Sequence, residues 1–133
     1  MKSKGIKVMY NNINGFLSKK DSLFKIVESI DPDIIALCET KKAGLIKKDE
    51  LTSYKVLERN LKRGKEGILF GVRKGTFYSI CDITDSEMKN LMTVKIEYPS
   101  FNLRVVIIHA PQETDKHEDW SFLKSSHCKL RGA

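Results

Sequence analysis

Cysteine is scarce, with three in 133 residues: Cys38, Cys81 and Cys128 are odd in number, widely separated and never arranged as Cys-x-x-Cys. That usage gives no disulfide framework and no paired-cysteine metal motif, and reads as free thiols in a reducing compartment. Long apolar runs are lacking too. No window approaches the ~18 apolar residues that a membrane span requires, and Met1-Lys-Ser-Lys-Gly-Ile-Lys7 carries charge without the apolar stretch of a signal peptide. An intracellular protein, nuclear or cytoplasmic and without a membrane partner, is the expectation. Gly64-Lys-Glu-Gly67 lacks the four-residue gap and the Gly-Lys-Ser/Thr ending of a phosphate-cradling loop, so no nucleoside-triphosphate site is expected there. Internal repeats, linkers and low-complexity segments are absent as well.

What is present is an ordinary globular composition, 41% hydrophobic and 31% charged, which excludes disorder and collagen-like repeats. The length allows one domain at most with a real core. Lys and Arg number 24 against 17 Asp and Glu, a net charge of +7. Such a balance favours a polyanionic partner, nucleic acid above all, unless it serves solubility alone.

The chain is organised around Asp33-Ile-Ile-Ala-Leu-Cys-Glu-Thr-Lys41. Five nearly uninterrupted apolar residues without helical spacing predict a buried central strand that delivers Glu39 to the edge of a sheet. In open α/β sheets, chemistry sits past the carboxyl ends of such strands. There Glu39 could hold a hard metal ion with Thr40 and Lys41 beside it, or simply cap a core strand in solvent. Cys38, inside the strand, reads as a small core residue.

Ahead of it, Ile6, Val8, Tyr10, Asn12 and Asn14 share one parity, which predicts a strand whose buried face Asn12 and Asn14 continue, ended by Gly15. Ser18 and Asp21 resemble a capping box, and Leu23, Ile26, Val27 and Ile30 recur at helical spacing, predicting a helix over 19–30 stopped by Asp31-Pro32. Strand, helix and strand make a βαβ unit with parallel strands. Both carboxyl ends then lie on one edge, so Asn12, Asn14 and Glu39 should converge.

Residues 41–65 are polar and lysine-rich, predicting loop, a short helix, an edge strand at Tyr54-Lys-Val-Leu57 and a solvated basic face. Gly67-Ile-Leu-Phe-Gly-Val72 predicts a second buried strand, Arg73–Thr76 a turn and Phe77–Cys81 another strand. Leu91–Tyr98 and Leu103–Ile108 predict an antiparallel hairpin across Pro99-Ser100, its second strand central because it is apolar on both faces. It runs into His109-Ala-Pro-Gln-Glu113. From Thr114 a helix is plausible, with Trp120 and Leu123 on its apolar side.

Asn12-Ile-Asn-Gly15, Leu37-Cys-Glu-Thr-Lys41 and His109-Ala-Pro-Gln112, in that order, resemble the strand-end motifs of the endonuclease/exonuclease/phosphatase superfamily. The Asn-Ile-Asn-Gly wording is most similar to the apurinic-type endonuclease domains of non-long-terminal-repeat retrotransposons, over about Ile6 to Glu113. The resemblance implies an α/β (α+β) fold, part of a four-layered DNase I-like sandwich: a mixed sheet with helices on one face and the second half missing. It makes 1–133 a single truncated domain with 114–133 a poorly matched tail. It implies Mg²⁺-dependent (Mn²⁺ possible) hydrolysis of phosphodiesters in nucleic acid, DNA first. A phosphatase or sphingomyelinase-like branch and a non-catalytic nucleic-acid-binding remnant are the alternatives.

Carried over by position, the resemblance makes Asn12, Glu39 and His109 catalytic and Asn14, Lys41 and Gln112 substrate-binding, with Glu39 and Asn14 at the metal. His109 stands where relatives have a tyrosine and Asn14 where many have an aspartate. The family's Asp-x-Asn and Ser-Asp-His motifs, which orient and activate water, do not occur in the sequence. Half a sandwich implies an exposed apolar sheet face. A homodimer or a protein partner would cover it.

Overall fold

The computed structural model describes residues 5–59, 61, 64, 66–85 and 91–109. They fall in two compact units, Met1–Lys74 and Gly75–Ala133. The first holds β1 (Val8–Asn12), α1 (Phe16–Ile30), β2 (Ile34–Cys38), β3 (Tyr54–Arg59) and β4 (Ile68–Arg73). Its sheet runs β1-β2-β4-β3. β1 pairs parallel to β2, and the other two pairings are antiparallel. The sheet is therefore mixed, and the βαβ unit stands as its periodicities require.

Every residue of β2 is buried, as are Ile68 to Val72 of β4. One face joins Met9, Ile35, Leu37, Tyr54 and Leu69 to Ile13 and to Phe16, Leu23 and Val27 of α1 in a single apolar cluster. Each such side chain contributes about 1.5–3 kcal/mol when fully removed from water. Ile34, Ala36, Cys38, Ile68, Phe70 and Val72 alternate to the opposite side and are buried too. The broad exposed face expected of half a sandwich is thus not found on β2 and β4.

β1 departs from expectation in its parity. Met9 packs into the cluster, whereas Val8 and Tyr10 are each 55% exposed and Ile6 is exposed beside them. β1 is an edge strand covered by α1 on one side only, and the sequence offers apolar residues on both parities. Asn12 consequently shares the exposed parity of Val8 and Tyr10.

The helix begins three residues before the capping-box reading. Gly15 is its N-cap at φ 108°, with no side-chain cap. The cap is supplied from the other side of the βαβ unit: the Gly15 and Phe16 amides donate to the Glu39 and Thr40 carbonyls, both at 2.8 Å. These bonds satisfy amides that a helix start leaves open. Asp31, left-handed at φ 54°, closes the helix by donating its amide to the Val27 carbonyl, and Pro32 follows. Among the described residues of 41–65 there is no helix.

The second unit holds β5 (Ser79–Asp82), β6 (Leu91–Glu97) and β7 (Asn102–Ile108), antiparallel in the order β5-β6-β7. The hairpin forms as its turn chemistry predicts, Glu97 opposite Asn102, with Tyr98 and Phe101 stacked at the turn. β6 rather than β7 is central among the described residues, because β6 carries the fully buried Met92, Val94 and Ile96 while most of β7 is half-buried. The expected helix after Thr114 lies outside the described residues. No helix among them is long and apolar enough to cross a membrane.

Candidate functional site

The carboxyl ends of β1 and β2 come together because the strands are parallel and in register, with Asn12 opposite Cys38. One residue further on, Glu39 turns into the left-handed region at φ 57°, Lys41 does so at φ 53°, and across from them Asn14 does so at φ 48°. Asparagine tolerates that conformation, but glutamate and lysine adopt it at a cost of roughly 1–3 kcal/mol each. Main-chain hydrogen bonds hold them there: Ile13 N–H to Cys38 O at 3.0 Å, Gly15 N–H to Glu39 O, and Lys41 N–H to Glu66 O at 2.8 Å. Backbone strain fixed by such a lattice is a mark of functional loops.

Four side chains result in one chain of contacts. The Asn12 amide donates to Glu39 Oε2 at 2.6 Å. Glu39 Oε1 lies 3.7 Å from the Lys41 ammonium, which also donates to Asn14 Oδ1. The Glu39 side chain is 19% exposed and that of Lys41 33%. Asn12, Asn14 and Glu39, predicted to converge, do so, and Lys41 joins them.

His109 is buried just past β7 in the second unit. Gln112 lies outside the described residues.

Beneath the cluster, Thr40 is fully buried, and its hydroxyl has no hydrogen-bond partner among the described residues. Gly67, at φ 122°, passes so close that a Cβ there would meet Thr40 Oγ1 at 2.1 Å. Only glycine meets both demands.

Lys42 is the residue that the reading of a solvated basic face gets wrong. Its side chain is 5% exposed and ion-paired with the 2% exposed Glu58 of β3. It donates to the Gly44 carbonyl at 2.8 Å and sits 5.4 Å over the Phe16 ring. The second Glu58 oxygen accepts the Ile46 amide at 2.6 Å. This pair ties the chain after the site to β3 and to the start of α1. No sequence signal marks the pair, since Glu58 lies beyond the strand expected at Tyr54-Lys-Val-Leu57.

Burial pushes the Cys38 thiol above its ordinary value, as does the neighbouring Glu39 charge, while a hydrogen bond from the Tyr10 hydroxyl works the other way. A protonated, enclosed thiol is a poor nucleophile. Cys38 belongs to the core, as expected.

The donor set fits a small hard cation. Glu39 supplies one carboxylate and Asn14 an amide oxygen, close to what Mg²⁺ takes from proteins when it keeps several waters and a substrate phosphate. Among the described residues no three His, Cys, Asp or Glu side chains gather as an all-protein cage.

No protein-family model and no curated protein matches the sequence. Solved structures match along nearly its whole length. An AP endonuclease from Leishmania major superposes with a TM-score of 0.67 at 17% identity, covering 94% of this chain and 47% of that one. The chain has the DNase I-like fold of this structure. Two further structures agree in fold. A Danio rerio TDP2 complexed with a single-strand DNA product gives a TM-score of 0.62 at 18% identity, covering 93% of this chain and 52% of that one. An AP endonuclease from Archaeoglobus fulgidus gives 0.60 at 16%, covering 95% and 49%. The chain spans about half the length of these structures.

Proposed function

We propose that this chain carries the metal-binding part of a nucleic-acid phosphodiesterase site of the retrotransposon endonuclease type. The observation that carries the reading is the direct 2.6 Å contact between Asn12 and Glu39, which joins the ends of two parallel strands beside Asn14 and Lys41. Glu39 and the Asn14 amide oxygen would hold Mg²⁺, or Mn²⁺ in its place. A divalent ion bound there would neutralise charge on the phosphoryl and leaving oxygens. Asn12, a neutral donor, would orient a phosphate oxygen without repelling it. Lys41 would add positive charge on the substrate side. His109 and Gln112 enter only through the resemblance, His109 donating to phosphate from a shorter side chain than tyrosine. DNA is the proposed substrate, in keeping with the net charge of +7.

Groups that activate the attacking water are not among these residues. The complete reaction therefore calls for the Asp-x-Asn and Ser-Asp-His functions, which the sequence does not contain. The net charge of +7 equally supports a second reading, a remnant that binds nucleic acid through phosphates alone.

Plasmid nicking and filter binding separate the two. With the Asp-x-Asn and Ser-Asp-His functions supplied by a complementing fragment, catalysis through this site predicts Mg²⁺-dependent nicking that Glu39→Gln abolishes. The remnant predicts no nicking, and binding that falls steeply with salt, ignores chelator and survives Glu39→Gln. Nicking that is unchanged in Glu39→Gln would overturn the catalytic reading.

A further inference from the structure

The position that a divalent ion would need is next to a cation the chain already owns. Lys41 Nζ donates to Asn14 Oδ1 and lies 3.7 Å from Glu39 Oε1, the two oxygens assigned above to the metal. We propose that Lys41 is an exchangeable resident cation of the site: it neutralises Glu39 when no metal is bound, and divalent-ion entry displaces it. The proposal rests on the metal-site reading of Glu39 and Asn14 and deepens it.

Three observations support an exchange rather than a fixed ion pair. The Lys41 backbone is pinned on both sides, its amide donating to Glu66 O at 2.8 Å and its carbonyl accepting Gly64 N–H at 3.0 Å. The loop therefore keeps its shape whichever way the side chain points. The side chain is itself one-third exposed, and a flexible four-carbon stem gives the ammonium an open path away from the oxygens. Its neighbour cannot take its place, because Lys42 is enclosed by Glu58, the Gly44 carbonyl and the Phe16 ring.

Two positive charges cannot share oxygens this close without mutual repulsion, and a dication meeting a hard carboxylate has the stronger claim. The ammonium that leaves remains on the same loop, where a substrate phosphate would offer it an anion. Metal binding and phosphate binding would then be coupled through one side chain, and each would favour the other. This is linkage: whatever draws Lys41 off Glu39 raises metal affinity, and metal that expels Lys41 raises affinity for phosphate.

The test is Mn²⁺ binding to the full chain, followed by electron paramagnetic resonance of free Mn²⁺, for the native protein and for Lys41→Met, Lys41→Arg and Glu39→Gln. Lys41→Met keeps the stem and removes the competing charge, and should tighten Mn²⁺ binding by about two- to fivefold, the scale of a partly exposed ion pair. Lys41→Arg should stay near the native affinity, and Glu39→Gln should abolish binding. The Mn²⁺ affinity of the native protein should also rise when a short phosphodiester such as thymidylyl-thymidine is present, and that rise should vanish in Lys41→Met. Binding that depends on Glu39 but is unchanged or weakened in Lys41→Met would overturn the exchange while leaving the metal site standing. Binding that is absent in every variant, or indifferent to Glu39, would overturn both.

Discussion

Removing one half of the buried Lys42–Glu58 pair should destabilise the protein more than any change at the exposed lysines. The two side chains are 5% and 2% exposed, so neither charge has bulk water to fall back on. Lys42→Met leaves a buried carboxylate with the Ile46 amide alone, at a cost of roughly 3–5 kcal/mol for an uncompensated buried charge. Glu58→Gln keeps an acceptor for Ile46 and strands the ammonium on the Gly44 carbonyl and the Phe16 face, with a cost of similar size. Against the roughly 5–15 kcal/mol that holds a typical domain together, about a fifth or more of the stability would go. Replacing both residues, Lys42→Met with Glu58→Gln, removes both charges at once. The double variant should recover most of the loss, because paired desolvation and attraction nearly cancel. Urea unfolding followed by circular dichroism gives all three values, and the double-mutant cycle isolates the coupling. A single variant costing under about 1 kcal/mol, or a double variant costing the sum of the singles, would refute the reasoning. The consequence reaches the site, since this pair anchors the chain immediately after Lys41.

Gly67→Ala combines a left-handed backbone with a collision on Thr40 Oγ1 and should cost roughly 2–5 kcal/mol in urea unfolding. Adding Thr40→Ala should recover the part due to the collision and leave the backbone part. In a Cys128→Ser background, iodoacetamide at pH 8 should label the exposed Cys81 and spare the buried Cys38 until denaturant is added. Labelling of Cys38 in the folded protein would contradict its burial. Burial by itself would raise the Glu50 carboxyl, but the Lys47 amide and the Lys20 ammonium outweigh it and hold Glu50 below its ordinary value. Its folded pKa is thus lower than its unfolded one, so its stabilisation is present above the ordinary carboxylate range and lost as pH falls through the depressed value. Glu50→Gln should flatten that part of the acid limb of stability, and an unchanged limb would count against the assignment.

The sequence was most legible where a single period ruled. β2 is apolar throughout and β4 from Ile68 to Val72, both bounded by turn residues, and their burial follows. From their neighbours in the chain followed the parallel pairing and the meeting of Asn12, Asn14 and Glu39. β1 was harder because Met9 and Val8 offer apolar faces of both parities, and only the one-sided cover of α1 chooses between them. The start of α1 was misread because its cap comes from the Glu39 and Thr40 carbonyls, partners distant in sequence, which leave no local signature. Lys42 was invisible for a related reason: a lysine among lysines looks solvated until the strand bearing Glu58 is placed. Thr40 and Gly67 could be found only from a close approach that no spacing encodes. For β7, two-sided apolar composition suggested a central strand, although sheet order is decided by pairing partners and not by composition alone.

Everything functional depends on one cation pocket between the first two strand ends. Crystals of the chain soaked in Mn²⁺ and measured at the manganese absorption edge test it most directly. The account predicts an anomalous peak within bonding distance of the Glu39 carboxylate and the Asn14 amide oxygen, with the Lys41 ammonium moved off both. A peak bound elsewhere, with Lys41 still seated between Asn14 and Glu39, would contradict it.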